Sequence, residues 1–285
     1  MSQLISAAIS IPMKPKIQFK RTTLPRVFTD ISTLESTFAS VLTLSPTSKC
    51  KKSPLSSISS TPKLQTEDTG KIFEMAICLA YDTKYNGPYK YSMETATQLS
   101  LRLHALRELF PLCTHTATSG SRYDFTSIEE PSVYLSAKST KKGVGKVAPQ
   151  VIGQPQPAKF CEVIGIPYTD NSTLKHHIQT EIQTILPILV SYTFDCPTVY
   201  YNQANNTIRY IQLTTPIAWN QYTFIWTRSA AQWTNSTTLK IVTPSGDKSL
   251  LEFQFHSGGR TNMAIRWAYE NFLSVFKDNL TIIDI

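Results

Sequence analysis

Apolar residues first recur at helical spacing in the stretch Ile72, Phe73, Ala76, Ile77, Leu79 and Ala80, which predicts a helix that Asp68 or Thr69 can cap. Asn86-Gly87-Pro88 breaks that run, and Leu99, Leu103, Leu106 and Leu109 form the stripe of a second helix over 92–109 with Ser92 as its cap. The pattern then turns extended: 121–125 and 133–139 read as short strands joined by the turn-prone SIEEPS. A further helix is expected over 174–189, with Pro187 cutting or kinking its end. Beyond Asp195 the segments TVYYN, TIRYIQL, YTFIW, TTLKIVT and LLEFQFH read as strands, and Pro244-Ser245-Gly246-Asp247 as the turn between the last two. A closing amphipathic helix is expected over 262–276. Helices, strands, helix, strands, helix: the order implies an α/β or α+β body.

Composition adds boundaries to this pattern. The 285 residues suffice for one large domain or two small ones. Residues 1–29 hold no acid but carry Lys14, Lys16, Lys20, Arg21 and Arg26, and 45–66 concentrate Ser, Thr, Pro and Lys. The first stretch reads as a basic arm, an organelle transit peptide or an ordered N-terminal segment, and the second as a linker. The expected division is therefore an arm and linker over 1–66, a core over 67–195 and a β-rich part with a closing helix over 196–285. Tyr200, Tyr201, Trp219, Trp226 and Trp233 sit in the strand-rich part and read as core or sheet-face aromatics.

Charge narrows the partner. Lys and Arg total 28 against 20 for Asp and Glu, a net +8 in a chain with only 17% charged residues, which points to an anionic partner with nucleic acid first. No apolar run reaches the length of a membrane helix, and five scattered cysteines with no CxxC pair argue against a disulfide framework or a zinc site. An intracellular setting is the simplest expectation.

Candidate chemistry concentrates in SGSRYDFTSIEEPSVYLSAKSTKK, residues 119–142. Asp124 lies in one expected strand and Ser136-Ala137-Lys138 in the next, where alternation points Ser136 and Lys138 the same way. If the strands pair, Asp124 joins them in a carboxylate–hydroxyl–ammonium cluster. Such a carboxylate can hold Mg²⁺, and the lysine can offset charge building on a phosphate.

This arrangement resembles the PD-(D/E)xK nucleases of the type II restriction endonuclease kind, some of which carry Ser in place of the second acid. On that resemblance the fold is a restriction-endonuclease-like mixed central sheet flanked by helices. The activity is Mg²⁺-dependent, site-specific cleavage of double-stranded DNA by a homodimer. The matching residues are Asp124, Ser136 and Lys138, with Glu74 as the helix acid that shares the metal with Asp124; Glu94 is a lesser fit for that role. Tyr123 stands where the family has Pro, and Ser136 leaves a metal ligand to be found elsewhere, for which Glu74 and Glu162 are the candidates.

Lys141, Lys142, Lys146, Gln150 and Gln154 follow the lysine motif among glycines and suit contacts to phosphates and bases. Pro155 and Pro157 suggest an extended connection there. Near the C-terminus, Arg260, Asn262 and Arg266 would lie in the first turns of the closing helix, facing DNA. Asp247 with Glu252-x-Gln254 is a rival metal site. The alternative to a nuclease is a non-catalytic nucleic-acid-binding or virion-type structural protein.

Overall fold

A computed structural model describes residues 66–118, 121–256 and 260–285, so the expectations for the basic arm and most of the linker lie outside the described residues. Helix α1 (Thr66–Ala80) buries Ile72, Phe73, Ala76, Ile77 and Ala80, as the periodicity predicts, but Leu79 is exposed and the helix begins ahead of the expected caps Asp68 and Thr69. Ser92 caps α2 (Met93–Ser100) by accepting from Thr95 N–H, but this helix stops early. The chain turns at 101–105 before a single further turn, α3 (Leu106–Leu109). Leu99, Leu103 and Leu106 are buried all the same, so the apolar stripe survives a break that its spacing does not reveal.

The central sheet begins with β1 (Cys113–His115), which the sequence pattern does not announce, followed by β2 (Phe125–Ser127) and β3 (Tyr134–Thr140). Beyond a short β4 (Lys146–Val147), the proline-rich connection forms α4 (Pro157–Ile164) where extended chain is expected. Pro157 occupies the first helical turn, where its missing N–H costs nothing, and Gly165 closes the helix with a positive φ of 76°. The helix expected over 174–189 is two helices, α5 (Asn171–Thr180) and α6 (Ile182–Ser191), with the junction at Glu181 and Pro187 accommodated inside α6.

Strands β5 (Thr198–Asn202) and β6 (Thr207–Leu213) come next. They are followed by β7 (Phe224–Trp226), β8 (Ser236–Ile241) and β9 (Lys248–Phe255). Gly246, at φ 106°, serves the turn between β8 and β9. The closing helix is shorter than expected. Met263–Ala268 is a strand, β10, leaving α7 (Tyr269–Val275) and a last strand, β11 (Leu280–Asp284). Met263, Ile265 and Trp267 are fully buried at period two, and β10 pairs antiparallel with β9, which outweighs the helical reading of the same residues.

The result is a mixed α/β architecture with two sheets among the described residues. The six-stranded sheet runs β1-β2-β3-β5-β6-β11, and the five-stranded sheet runs β4-β10-β9-β8-β7. In the first, β3 and β5 are parallel and the other neighbours antiparallel. The partner strand of β3 therefore comes from beyond residue 195, and the six-stranded sheet spans the boundary expected there.

The two faces of this sheet bury different cores. On one, α1 and α2 pack on Leu135, Val199, Tyr201, Ile208 and Tyr210. On the other, Tyr200 and Ile211 meet α4–α7, Trp219 and Trp233 from the connecting segments, and the apolar side of the second sheet, including Phe253 and Trp267. Alternation along β3 thus sends Leu135 and Ala137 towards α1, and Ser136, Lys138 and Thr140 to the opposite face.

Candidate active site

Asp124 lies immediately before β2, and the register Phe125↔Leu135 aligns it with Ser136 across the pair. Its Oδ2 accepts from the Ser136 hydroxyl at 2.9 Å and from the Ala137 backbone N–H at 2.7 Å. The Lys138 Nζ stands 3.6 Å from the same oxygen, with the Lys138 and Asp124 side chains 22% and 21% exposed. The carboxylate is thus oriented by two donors and neutralised by one cation while solvent still reaches it. Ser136 itself is fully buried, and its N–H donates to the carbonyl of Pro197, the residue before β5, which anchors the backbone that carries the hydroxyl. The structure brings Asp124, Ser136 and Lys138 together.

Residues to which the motif reading gives no role complete this corner. Tyr123 stacks on Tyr134 with ring centroids 3.9 Å apart and planes 7° from parallel. Its hydroxyl donates to Asp195 Oδ2 at 2.6 Å, and Arg122 Nη2 reaches the same oxygen at 2.9 Å. The Arg122 guanidinium lies over the rings of Tyr192 and Tyr123, at 4.7 and 5.6 Å. Burial and the bond to Asp195 push the Tyr123 phenol up to about 12, so it stays a donor at neutral pH. Burial, then the Asp195 charge, raise the Cys196 thiol to about 12, with Asp124 adding to the rise and the Gln150 hydrogen bond and Lys138 opposing it. Arg122 and Tyr123 were within sight in SRYD, beside Asp124. Asp195 lies 72 residues from Tyr123 and carries no local signal.

Glu74 is not part of this cluster. It is buried on α1, paired with Lys71 Nζ at 3.0 Å and with His115 Nε2 at 3.2 Å. His115 Nδ1 accepts the Asn86 N–H at 2.9 Å, so Nε2 carries the ring proton and donates it to Glu74. His115 lies against Phe125 and stacks on Tyr85, on the α1 side of the sheet. The strand alternation that gathers Ser136 and Lys138 on one face leaves Glu74 on the other, which corrects the expectation that Glu74 and Asp124 share a metal. Glu94 is exposed in the first turn of α2, and Glu162 is exposed and bound to Lys159. No group of three His, Cys, Asp or Glu able to hold a metal occurs among the described residues.

The expected nucleic-acid contacts divide. Lys142 and Lys146 are exposed, and Lys141 is partly so. Lys146 is salt-bridged to Glu252 at 2.8 Å. Gln150 is buried, with its amide nitrogen 3.8 Å from the Cys196 sulfur, and so is a neighbour of the Asp124 corner instead of a surface reader. Gln154 is exposed and accepts from Asn262 at 3.5 Å, and Arg260 is exposed. Arg266 projects from β10, not from a helix start, and donates to Glu252 and Gln254, each at 3.1 Å. The helix-terminus reading of Arg260, Asn262 and Arg266 therefore falls. The rival metal site falls with it as arranged here: two cations already neutralise Glu252, and Gln254 serves Arg266.

No helix among the described residues is long and apolar enough to cross a membrane. No family model matches the chain, and no solved structure matches it. Among curated proteins, the chain is 43% identical over 222 residues to the type II restriction enzyme CviAII of Paramecium bursaria Chlorella virus 1. The match takes in 77% of this chain and 63% of that enzyme's length, so the chain spans a little under two thirds of its relative. Sequence similarity on that scale, with an Asp–Ser–Lys cluster at a strand pair, makes this chain similar to a restriction endonuclease.

Proposed function

We propose that the chain is a site-specific endodeoxyribonuclease that hydrolyses phosphodiesters of duplex DNA with Mg²⁺. The observation that carries the reading is the cluster itself: one carboxylate held by the Ser136 hydroxyl and Ala137 N–H, with the Lys138 ammonium 3.6 Å away. The 43% identity to a restriction enzyme supports the same chemistry.

The donors at this corner suit a hard cation. Asp124 offers carboxylate oxygen, with the Ser136, Ala137 and Lys138 contacts all falling on its Oδ2, and Mg²⁺ commonly takes one or two carboxylates and fills its shell with waters and substrate phosphate. When bound, the cation would polarise the scissile phosphate and lower the pKa of a bound water. The chain's own groups do the rest. Asp124 fixes the position where the phosphate is met. Ser136 spends its hydrogen on Asp124 and so orients a carboxylate instead of contributing a charge. Lys138 faces the attacking water and offsets the negative charge that builds on the phosphorus oxygens. Attack forms one P–O bond and breaks another, leaving a phosphate on one DNA end and a hydroxyl on the other.

Lys141, Lys142 and the turn that follows β3 continue from the strand carrying Lys138, which supports a role for their cations in meeting the DNA backbone. Two strands need two cuts, and a two-fold homodimer supplies one cluster to each. Digesting long duplex DNA with the purified chain tests the reading: discrete fragments are expected with Mg²⁺ and none with EDTA. Intact DNA under both conditions overturns it.

A further inference from the structure

Asp124 follows a stretch of non-strand backbone, so β-pairing holds its carboxylate on one side alone. On the other side stands a set of contacts that the proposed chemistry does not use. Tyr123 and Arg122 both converge on Asp195 Oδ2, at 2.6 and 2.9 Å. Arg122 is further fixed by the Tyr192 ring and by the Ser191 carbonyl at 3.3 Å, and Tyr123 by its stack on Tyr134. From Asp195 the chain runs through Cys196 to Pro197, whose carbonyl accepts the Ser136 N–H at 2.9 Å. Ser136 then returns to Asp124 through its hydroxyl. Covalent and hydrogen bonds thus close a ring through Asp124, Tyr123, Asp195, Cys196, Pro197 and Ser136.

We propose that Asp195 is a positioning residue for Asp124, acting through Tyr123 and Arg122. This rests on the nuclease reading for its effect on rate, but the positioning itself is a property of the folded chain. An Asp195 carboxylate with its side chain 18% exposed, holding one phenol and one guanidinium on a single oxygen, ties the strand that brings Asp124 to the strand that brings Pro197. Displacing a catalytic group by about 1 Å costs on the order of 10²-fold in rate, so the tie matters to turnover more than to DNA affinity.

The test compares Asp195→Ala, Asp195→Asn and Tyr123→Phe in the full chain. Tyr123→Phe removes one hydroxyl and keeps the ring stack, so it folds even where Asp195→Ala does not. Both Asp195→Ala and Tyr123→Phe should lower kcat, by about 10²-fold and about 10-fold, with KM within about 2-fold. Asp195→Asn keeps an acceptor oxygen for Tyr123 and Arg122 and should recover most of the rate. A second readout does not need cleavage: exchange of the Ala137 amide, which donates to Asp124, should quicken in Tyr123→Phe while the Val199 amide is unchanged. Wild-type rates in Tyr123→Phe with unaltered Ala137 exchange overturn the proposal, and so does Asp195→Asn failing as badly as Asp195→Ala. A wild-type chain that leaves DNA intact sinks the nuclease reading alone, and the Ala137 exchange then decides the positioning.

Discussion

Ser136→Ala tests the site where sequence and structure meet most closely. The substitution removes one oxygen from a fully buried residue and leaves the backbone bond to Pro197 in place. What is lost is a hydrogen bond of 2.9 Å to a carboxylate. Bonds to charged groups contribute about 1.5–3 kcal/mol. Asp124 keeps the Ala137 N–H at 2.7 Å and Lys138 at 3.6 Å, and water reaches its 21% exposed side chain, which sets the loss at the lower end, about 1.5 kcal/mol. A domain of this size shifts by about 2–4 °C per kcal/mol, so the melting temperature should fall by about 3–6 °C. Thermal unfolding followed by circular dichroism measures it. The variant should still cleave, more slowly, because the carboxylate and the ammonium remain. A melting temperature within about 1 °C of wild type would show that the hydroxyl does not orient Asp124, and the account of this strand pair would be wrong.

Two other outcomes follow from the same structure. Glu74→Ala strips the buried His115 Nε2–H of its acceptor and should cost about 1–3 kcal/mol of stability by urea titration, while the folded variant cuts DNA within about 3-fold of wild type; lost cutting at unchanged stability would return Glu74 to the active site. The Cys196 thiol, raised to about 12 by burial and by Asp195, holds on the order of one thiolate in 10⁴ at pH 8. Mass spectrometry of the Cys196 peptide should therefore show slow alkylation by iodoacetamide in the folded chain and fast alkylation after unfolding, and labelling at a free-thiol rate would contradict the buried placement.

The parts of this molecule that were legible in the sequence are those that local rules govern. Ser92 is a cap wherever a helix follows it, and Gly246 is a turn residue wherever two apolar strands flank it. Ser136 and Lys138 share a face because a strand has period two, so the one additional condition for the cluster was that the strands pair, and they do. The misreadings have tertiary causes. Met263–Ala268 satisfies helical and strand spacing alike, and the vacant edge of β9 decided between them. Pro155 and Pro157 suggest an extended connection, yet Pro157 at a helix's first turn starts α4. Glu74 sits at a plausible point in the chain order, but α1 packs on the face of β3 that carries Leu135 and Ala137. Asp195 carries no local signal, because its partners Tyr123 and Arg122 are 72 and 73 residues away and the pairings of β2 with β3 and β3 with β5 bring them close.

The central claim is that Asp124 and Lys138 act together on a phosphodiester, and a cleavage assay on two variants tests it most directly. Linear duplex DNA is incubated in Mg²⁺ with wild type, Asp124→Ala and Lys138→Ala at matched concentrations, after circular dichroism confirms that each is folded. The account predicts discrete fragments from wild type and a loss of about 10²–10⁴-fold in rate for each variant. Fragments at the wild-type rate from both folded variants would contradict it.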